Sequence, residues 1–199
     1  KGQVNMNALQ TSIVEKNEKL FLFLFEKVYC EIFELNEFIY EVDHEDENIF
    51  HNLARHGSLP MLKSLTDQLI TQLSREELID LVKLKSIFND NIFHMTACNT
   101  ESFSINILID FVENLLTQEE IKEFSSAKGR FSRLPLHYVF IRNIPRGAKL
   151  FFDFYKKFFN EEEIFEFCSR QVEEIDKTIF EIASEKSDEL FDVVASLIG

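Results

Sequence analysis

The sequence repeats itself at an interval of 43 residues, and a period of that length commits a chain to a stacked array more firmly than any local propensity does. Asn48-Ile49-Phe50-His51 returns letter for letter as Asn91-Ile92-Phe93-His94. A further 43 residues lead to Leu136-His137 in RLPLHYVF, and 44 more to Phe180-Glu181 in KTIFEIAS. A second phrase keeps the same step: LSREEL from Leu73, LTQEEI from Leu116 and FNEEEI from Phe159 set Ser74, Thr117 and Asn160 at intervals of 43. Two independent phrases in one register define repeats at about 49–91, 92–134 and 135–178, with a truncated one at 179–199. A degenerate first copy, 8–48, fits if Leu9 stands for Phe50, so that residues 1–199 form one array.

Each repeat divides into three helical parts. Phe50, Leu53 and Ala54 fall at i, i+3 and i+4, the apolar stripe of a short helix that Gly57 ends as a C-terminal cap. Leu59, Leu62, Leu65 and Leu69 mark a longer amphipathic helix, matched later by Ile105–Leu116 and Ala148–Phe159. Ser74 with Glu77 then makes a capping box, in which the hydroxyl accepts from an orphan N–H and the carboxylate reaches back. Thr117 with Glu120 repeats the device, and Asn160 with Glu163 is a near relative. The aromatic content is almost all Phe, 22 against 4 Tyr and no Trp, while Gly and Pro are scarce at 5 and 3. Sheets need more turn chemistry than that, so the fold class is all-α.

The opening NIFHNLARHG resembles the Thr-Pro-Leu-His-x-Ala-Ala-x-x-Gly start of an ankyrin repeat, with Phe50, His51, Ala54 and Gly57 in the matching places. RLPLHYVF keeps Pro135, Leu136 and His137. The resemblance implies a helical solenoid that binds other proteins. It also implies a structural part for His51, His94 and His137, each imidazole bridging neighbouring loop backbones. These repeats exceed the usual ankyrin length of about 33 residues by roughly ten. The surplus coincides with the SREEL segment, which is read as an additional short helix. The usual turn residues of ankyrin finger loops are replaced by HEDEN, IFNDN, KGRFSR and EEIDK. A HEAT or armadillo array, with two or three helices in about 40–47 residues, is the alternative architecture.

Several chemistries are set aside on physical grounds. Equivalent positions in a solenoid stack about 10 Å apart, a helix-packing distance, so the three histidines cannot converge on one ion at about 2 Å. Glu76-Glu77, Glu119-Glu120 and Glu161-Glu162-Glu163 sit at helix starts, where the helix dipole accounts for them. Nucleophile-elbow, phosphate-loop and zinc-protease motifs are lacking, so neither a catalytic residue nor a cofactor or metal is expected. A net charge of −14 disfavours nucleic acid as a partner. The longest purely apolar run, Leu20–Phe25, is too short for a membrane span of roughly 20 residues. Cys30, Cys98 and Cys168 have no metal spacing and read as small hydrophobes in a reducing compartment, which places the protein inside the cell, in cytoplasm or nucleus. The chain opens on Lys1 rather than Met and is read as a fragment.

Charge is banded along the chain. Residues 31–47 hold eight acids and no Lys or Arg, whereas 122–157 hold nine Lys or Arg against Glu123 and Asp153. Within the basic band, SSAKGRFSR has the composition of an exposed loop tip, which makes Lys128, Arg130 and Arg133 candidates for docking an acidic or phosphorylated segment. Arg142 and Arg146 close the following inner helix and its turn, on the side where ankyrin-like stacks receive partners. Inner-helix positions Asn52, Arg55, Met95, Asn99 and Tyr138 complete the candidate surface. LFFDFYKKFF (150–159) carries too many apolar groups for one face and is expected to pack on two sides. The functional expectation is a monomeric array that binds another protein. The alternative is the targeting array of a larger enzyme, toxin or effector.

Overall fold

The computed structural model describes residues 6–29 and 38–196, and every helix in it can be traced to the repeat. The inner helices are α1 (Ala8–Val14), α3 (Ile49–His56), α6 (Ile92–Thr96), α9 (Pro135–Ile141) and α12 (Ile179–Lys186). Each is followed by an outer helix: α2 (Glu18–Leu24), α4 (Leu59–Gln72), α7 (Ser102–Leu115), α10 (Pro145–Phe158) and α13 (Asp188–Ala195). Third helices follow three of these as α5 (Arg75–Lys83), α8 (Gln118–Ser125) and α11 (Glu161–Ser169). Inner helices stack on inner helices of the neighbouring units, and outer on outer, in chain order. The chain is an all-α solenoid, with each third helix leaning on the next unit: α5 and α8 on its outer helix, α11 on its inner helix.

Caps start these helices where the sequence places them. Ser74, Thr117 and Asn160 each accept from the N–H three residues on, at 3.3, 3.3 and 2.8 Å, while Glu77, Glu120 and Glu163 accept from the cap's own N–H. Asn160 therefore makes the full reciprocal box. Thr178 with Glu181 makes another, opening α12. Gly57 ends α3 for a different reason from the one its sequence context suggests. Its φ is −68°, in the extended region, so no left-handed cap forms. A Cβ there would lie 2.6 Å from the Leu53 carbonyl oxygen, and glycine is needed for closeness.

The core runs the length of the stack. Phe50, Phe93 and Leu136 are completely buried at equivalent places. Phe93 lies against Phe124 of its own unit and Phe151 and Phe154 of the next, with ring centroids 5.1, 6.0 and 5.2 Å away. Phe50 likewise meets Phe111 of the following outer helix at 5.7 Å. Phe180 holds the same repeat position but differs in burial. It is only half-buried against Phe165, because no outer helix of a further unit is present among the described residues to cover it. The aromatic helix α10 is packed on two sides as its composition requires, with Phe151, Phe152, Phe154 and Tyr155 all 2 % exposed or less.

Loops between units keep a register of their own. The N–H groups of Asp43, Ser86 and Gly129 donate to the carbonyls of Glu47, Asp90 and Arg133, closing three loops at steps of 43. The N–H of Val172 donates to Lys177, one residue further, and that extra residue is the source of the 44-residue interval to Phe180. Asp46, Asn89, Ser132 and Asp176 take positive φ inside these loops, a conformation that Asn and Asp tolerate best. Ankyrin repeats open on a β-turn whereas HEAT and armadillo repeats are built from helices. Closed turns at every junction therefore side with the ankyrin-like arrangement.

Candidate functional site

Histidine is the stitch between units. In the third unit the N–H of Asn91 donates to His94 Nδ1 at 3.1 Å, which leaves the ring proton on Nε2, 3.2 Å from the Arg133 carbonyl of the next loop. His137 repeats this with the N–H of Leu134 (2.9 Å) and the Arg170 carbonyl (3.4 Å), and His51 reaches the Leu84 carbonyl at 3.2 Å. All three rings are 1 % exposed or less. Burial opposes charging them and pulls each pKa down to about 4, so they are neutral at physiological pH. In the first unit Gln10 takes over: its Oε1 accepts from the Asn7 N–H at 3.0 Å, and its Nε2 donates to the Glu47 carbonyl at 3.3 Å. Glu181 accepts from the N–H and hydroxyl of Thr178 but has no proton to pass onward.

The stitched loops gather the candidate arginines around one cleft. Arg55, Arg130, Arg133, Tyr138 and Arg142 line a cavity of about 200 Å³ together with Glu45, Asp90, Cys98, Phe131 and Glu174. Arg130 pairs with Glu45 at 3.3 Å across 85 residues of sequence, and its guanidinium lies 3.2 Å from the centre of the Phe88 ring. Arg133 pairs with Glu174 of the following loop and lies over the Phe131 and Tyr138 rings at 5.0 and 5.5 Å. Arg55 pairs with the buried Glu47 at 2.6 Å. Asp90, 4 % exposed, accepts from the Arg130 N–H at 3.0 Å and the Tyr138 hydroxyl at 3.1 Å. Gly129 permits this, since a Cβ there would come within 1.9 Å of the Asp90 carboxylate. Burial raises the Glu47 pKa to about 7 against the lowering pull of Arg55.

The bands of charge are thus joined to each other. Glu45 of the first loop and Glu174 of the fourth pair with Arg130 and Arg133 of the third, and Glu47 of the first pairs with Arg55 of α3. Arg142 differs from the rest: among the described residues no carboxylate lies within ion-pair distance of it, and it is exposed at the C-cap of α9. Lys128 and Arg146 are exposed too, but neither lines the cleft.

Three inner-helix candidates offer little surface. Asn52 is 1 % exposed and donates to the Asn48 carbonyl at 3.1 Å. Met95, also 1 % exposed, receives Arg55 on its sulfur at 2.8 Å. Asn99, 3 % exposed, holds the Ala54 and Gly57 carbonyls at 3.2 and 3.1 Å. All three amide or thioether groups serve the stack. Of the cysteines, Cys98 is half-buried at the cleft, Cys168 is buried, and Cys30 falls outside the described residues, as do residues 31–37 of the acidic band.

Asp90 and Gln10 escaped the sequence reading, and Glu45 and Glu47 were read only as part of the acidic band. A signal existed for the acids, because Glu47, Asp90 and Arg133 follow one another at 43 residues and change sign at the third. No helix among the described residues is long and apolar enough to cross a membrane. No family model and no curated protein matches the sequence. Among solved structures the chain is similar to the crystal structure of a human ASB11 ankyrin repeat domain, at 11% identity and a TM-score of 0.40, covering 98% of this chain and 99% of that one.

Proposed function

We propose that this chain is an ankyrin-like protein-interaction module, and that the loop face around the arginine cleft docks an acidic segment of a partner protein. The observation that carries the reading is Arg142, a guanidinium without a carboxylate at the edge of a cleft whose other arginines are held in place by ion pairs. A partner carboxylate supplies what Arg142 lacks, in a bidentate geometry that arginine favours. Lys128 and Arg146, exposed outside the cleft lining, act on the rate of encounter. A stacked array offers an extended face rather than an enclosed substrate site, which suits a protein partner.

The test compares parent protein with Arg142→Glu, Lys128→Glu and Arg133→Gln in quantitative affinity capture and surface plasmon resonance. Arg142→Glu is expected to release partners that the parent retains, and Lys128→Glu to slow association in a salt-dependent way. Arg133→Gln is expected to lower thermal stability as well as binding, since it breaks a strut between loops. Unchanged capture by Arg142→Glu would overturn the proposal.

A further inference from the structure

Beside the cleft, each of the three later loops presents one large apolar side chain to solvent. Ile87 is 55% exposed, Phe131 45% and Ile175 37%. Folding does not ask for any of them, because apolar side chains at loop tips lose nothing when replaced by polar ones. Phe131 is the most telling. It takes φ 57°, ψ 35°, a left-handed conformation that is rare for a bulky residue, and it holds its ring at the rim of the cleft.

The loops carrying these side chains are tied into one ridge. The Ile87 N–H donates to the Glu45 carbonyl at 2.9 Å, joining first and second loops. Asn89 Nδ2 donates to the Lys128 carbonyl at 2.6 Å, and Arg130 spans from the third loop back to Glu45 and over Phe88. The Arg133–Glu174 pair joins third to fourth. A ridge fixed before a partner arrives spares the ordering entropy that free loops would lose on binding.

Resting on the proposed acidic docking, we infer that the partner presents an extended segment with apolar side chains at every third residue and an aspartate or glutamate among them. Neighbouring units are separated by one helix packing distance, about 8–10 Å. A segment in the extended polyproline II conformation advances about 3.1 Å per residue with three residues per turn, so every third side chain faces the same way and one turn matches one unit. Apolar residues at i, i+3 and i+6 then meet Ile87, Phe131 and Ile175, while a carboxylate between the last two reaches Arg142 at the cleft. The direction of charge fits. Of the four arginines that line the cleft, Arg55, Arg130 and Arg133 are in ion pairs, and Arg142, the one without a carboxylate among the described residues, is the exposed one.

The experiment is selection of a phage-displayed library of random 12-residue peptides on the immobilised protein, followed by anisotropy titration of the enriched peptides. The parent is compared with Arg142→Gln and with a loop variant carrying Ile87→Ser, Phe131→Ser and Ile175→Ser. All substitutions lie at exposed positions, and circular dichroism checks that both variants keep the helical content of the parent. The expected result is an enriched pattern of apolar residues three apart with an acid, binding at least tenfold more weakly to each variant. Peptides that lose affinity for Arg142→Gln but bind the loop variant as tightly as the parent would overturn the ridge inference and leave acidic docking standing. Peptides indifferent to both would overturn both. Failure of any sequence to enrich would overturn the extended-segment inference, with acidic docking then judged by the Arg142→Glu capture. Phosphoserine in place of the acid, if it bound tenfold more tightly, would overturn the assignment of a carboxylate.

Discussion

Gln10 does with an amide what His94 and His137 do with an imidazole: it accepts from the N–H of its helix cap and donates to a carbonyl of the next unit. The requirement at this position is therefore one acceptor and one donor at the right separation, rather than an ionisable ring. His94→Ala strands the Asn91 N–H and the Arg133 carbonyl in a buried place, and is expected to cost about 1–3 kcal/mol in urea denaturation. His94→Gln should recover most of that loss. Equal destabilisation by both substitutions would mean that ring packing, including the edge-on contact of His94 with Tyr138 at 5.7 Å, outweighs the hydrogen bonds. The histidines were legible because an identical tetrapeptide recurs at 43 residues. Gln10 was not, since no letter it shares with His51 marks it, and its equivalence shows only once its partner atoms are placed. Asn52 and Asn99 offer less surface than their polarity suggests, because their amides satisfy buried carbonyls, and Met95 is covered by Arg55.

Elements are held together by aromatic side chains that belong to two units at once. Phe93 touches rings from α8 and from α10, so its truncation weakens the stack and not one helix alone. Phe93→Ala is expected to cost about 3–5 kcal/mol, the range for deleting a buried phenylalanine. Phe180→Ala, at a half-covered site, should cost about 1 kcal/mol because less area leaves water. Thermal melts of the two variants check the ratio, and similar shifts would show that α12 is packed as tightly as α6. Thr117→Ala removes the hydroxyl that caps α8 and should cost about 1 kcal/mol. The helices were readable because their apolar stripes and caps are local in sequence. Loop pairing was not, because Arg130–Glu45 and Arg133–Glu174 join residues 85 and 41 apart, and charge banding alone reads equally well as a binding surface. Arg130 and Arg133 are struts between loops, while Arg142 has no carboxylate within ion-pair distance among the described residues.

At the scale of the whole molecule the buried histidines make the array sensitive to acid. An unfolded histidine takes up a proton below about pH 6.5, whereas His51, His94 and His137 in the stack resist protonation down to about 4. His56, also partly buried, is lowered to about 4 by burial and by nearby cations, Arg55 first among them. Between pH 4 and 6.5 the unfolded chain binds more protons than the folded one, so stability falls as pH falls through that window. Each of the three buried rings contributes on the order of 3 kcal/mol when fully expressed, comparable together to the total stability of an ordinary domain. Glu47 runs the other way. Its pKa is raised to about 7, so its contribution is full below about 4.5 and lost as pH rises towards 7, but one carboxyl stands against three rings. The melting temperature is therefore expected to drop steeply from pH 7 to pH 4.5. Replacing His51, His94 and His137 together by Gln keeps donors and acceptors in place while removing the titration. That triple variant should melt with a much flatter pH profile, and a slope as steep as the parent's would show that carboxylates rather than the stacked histidines govern acid unfolding.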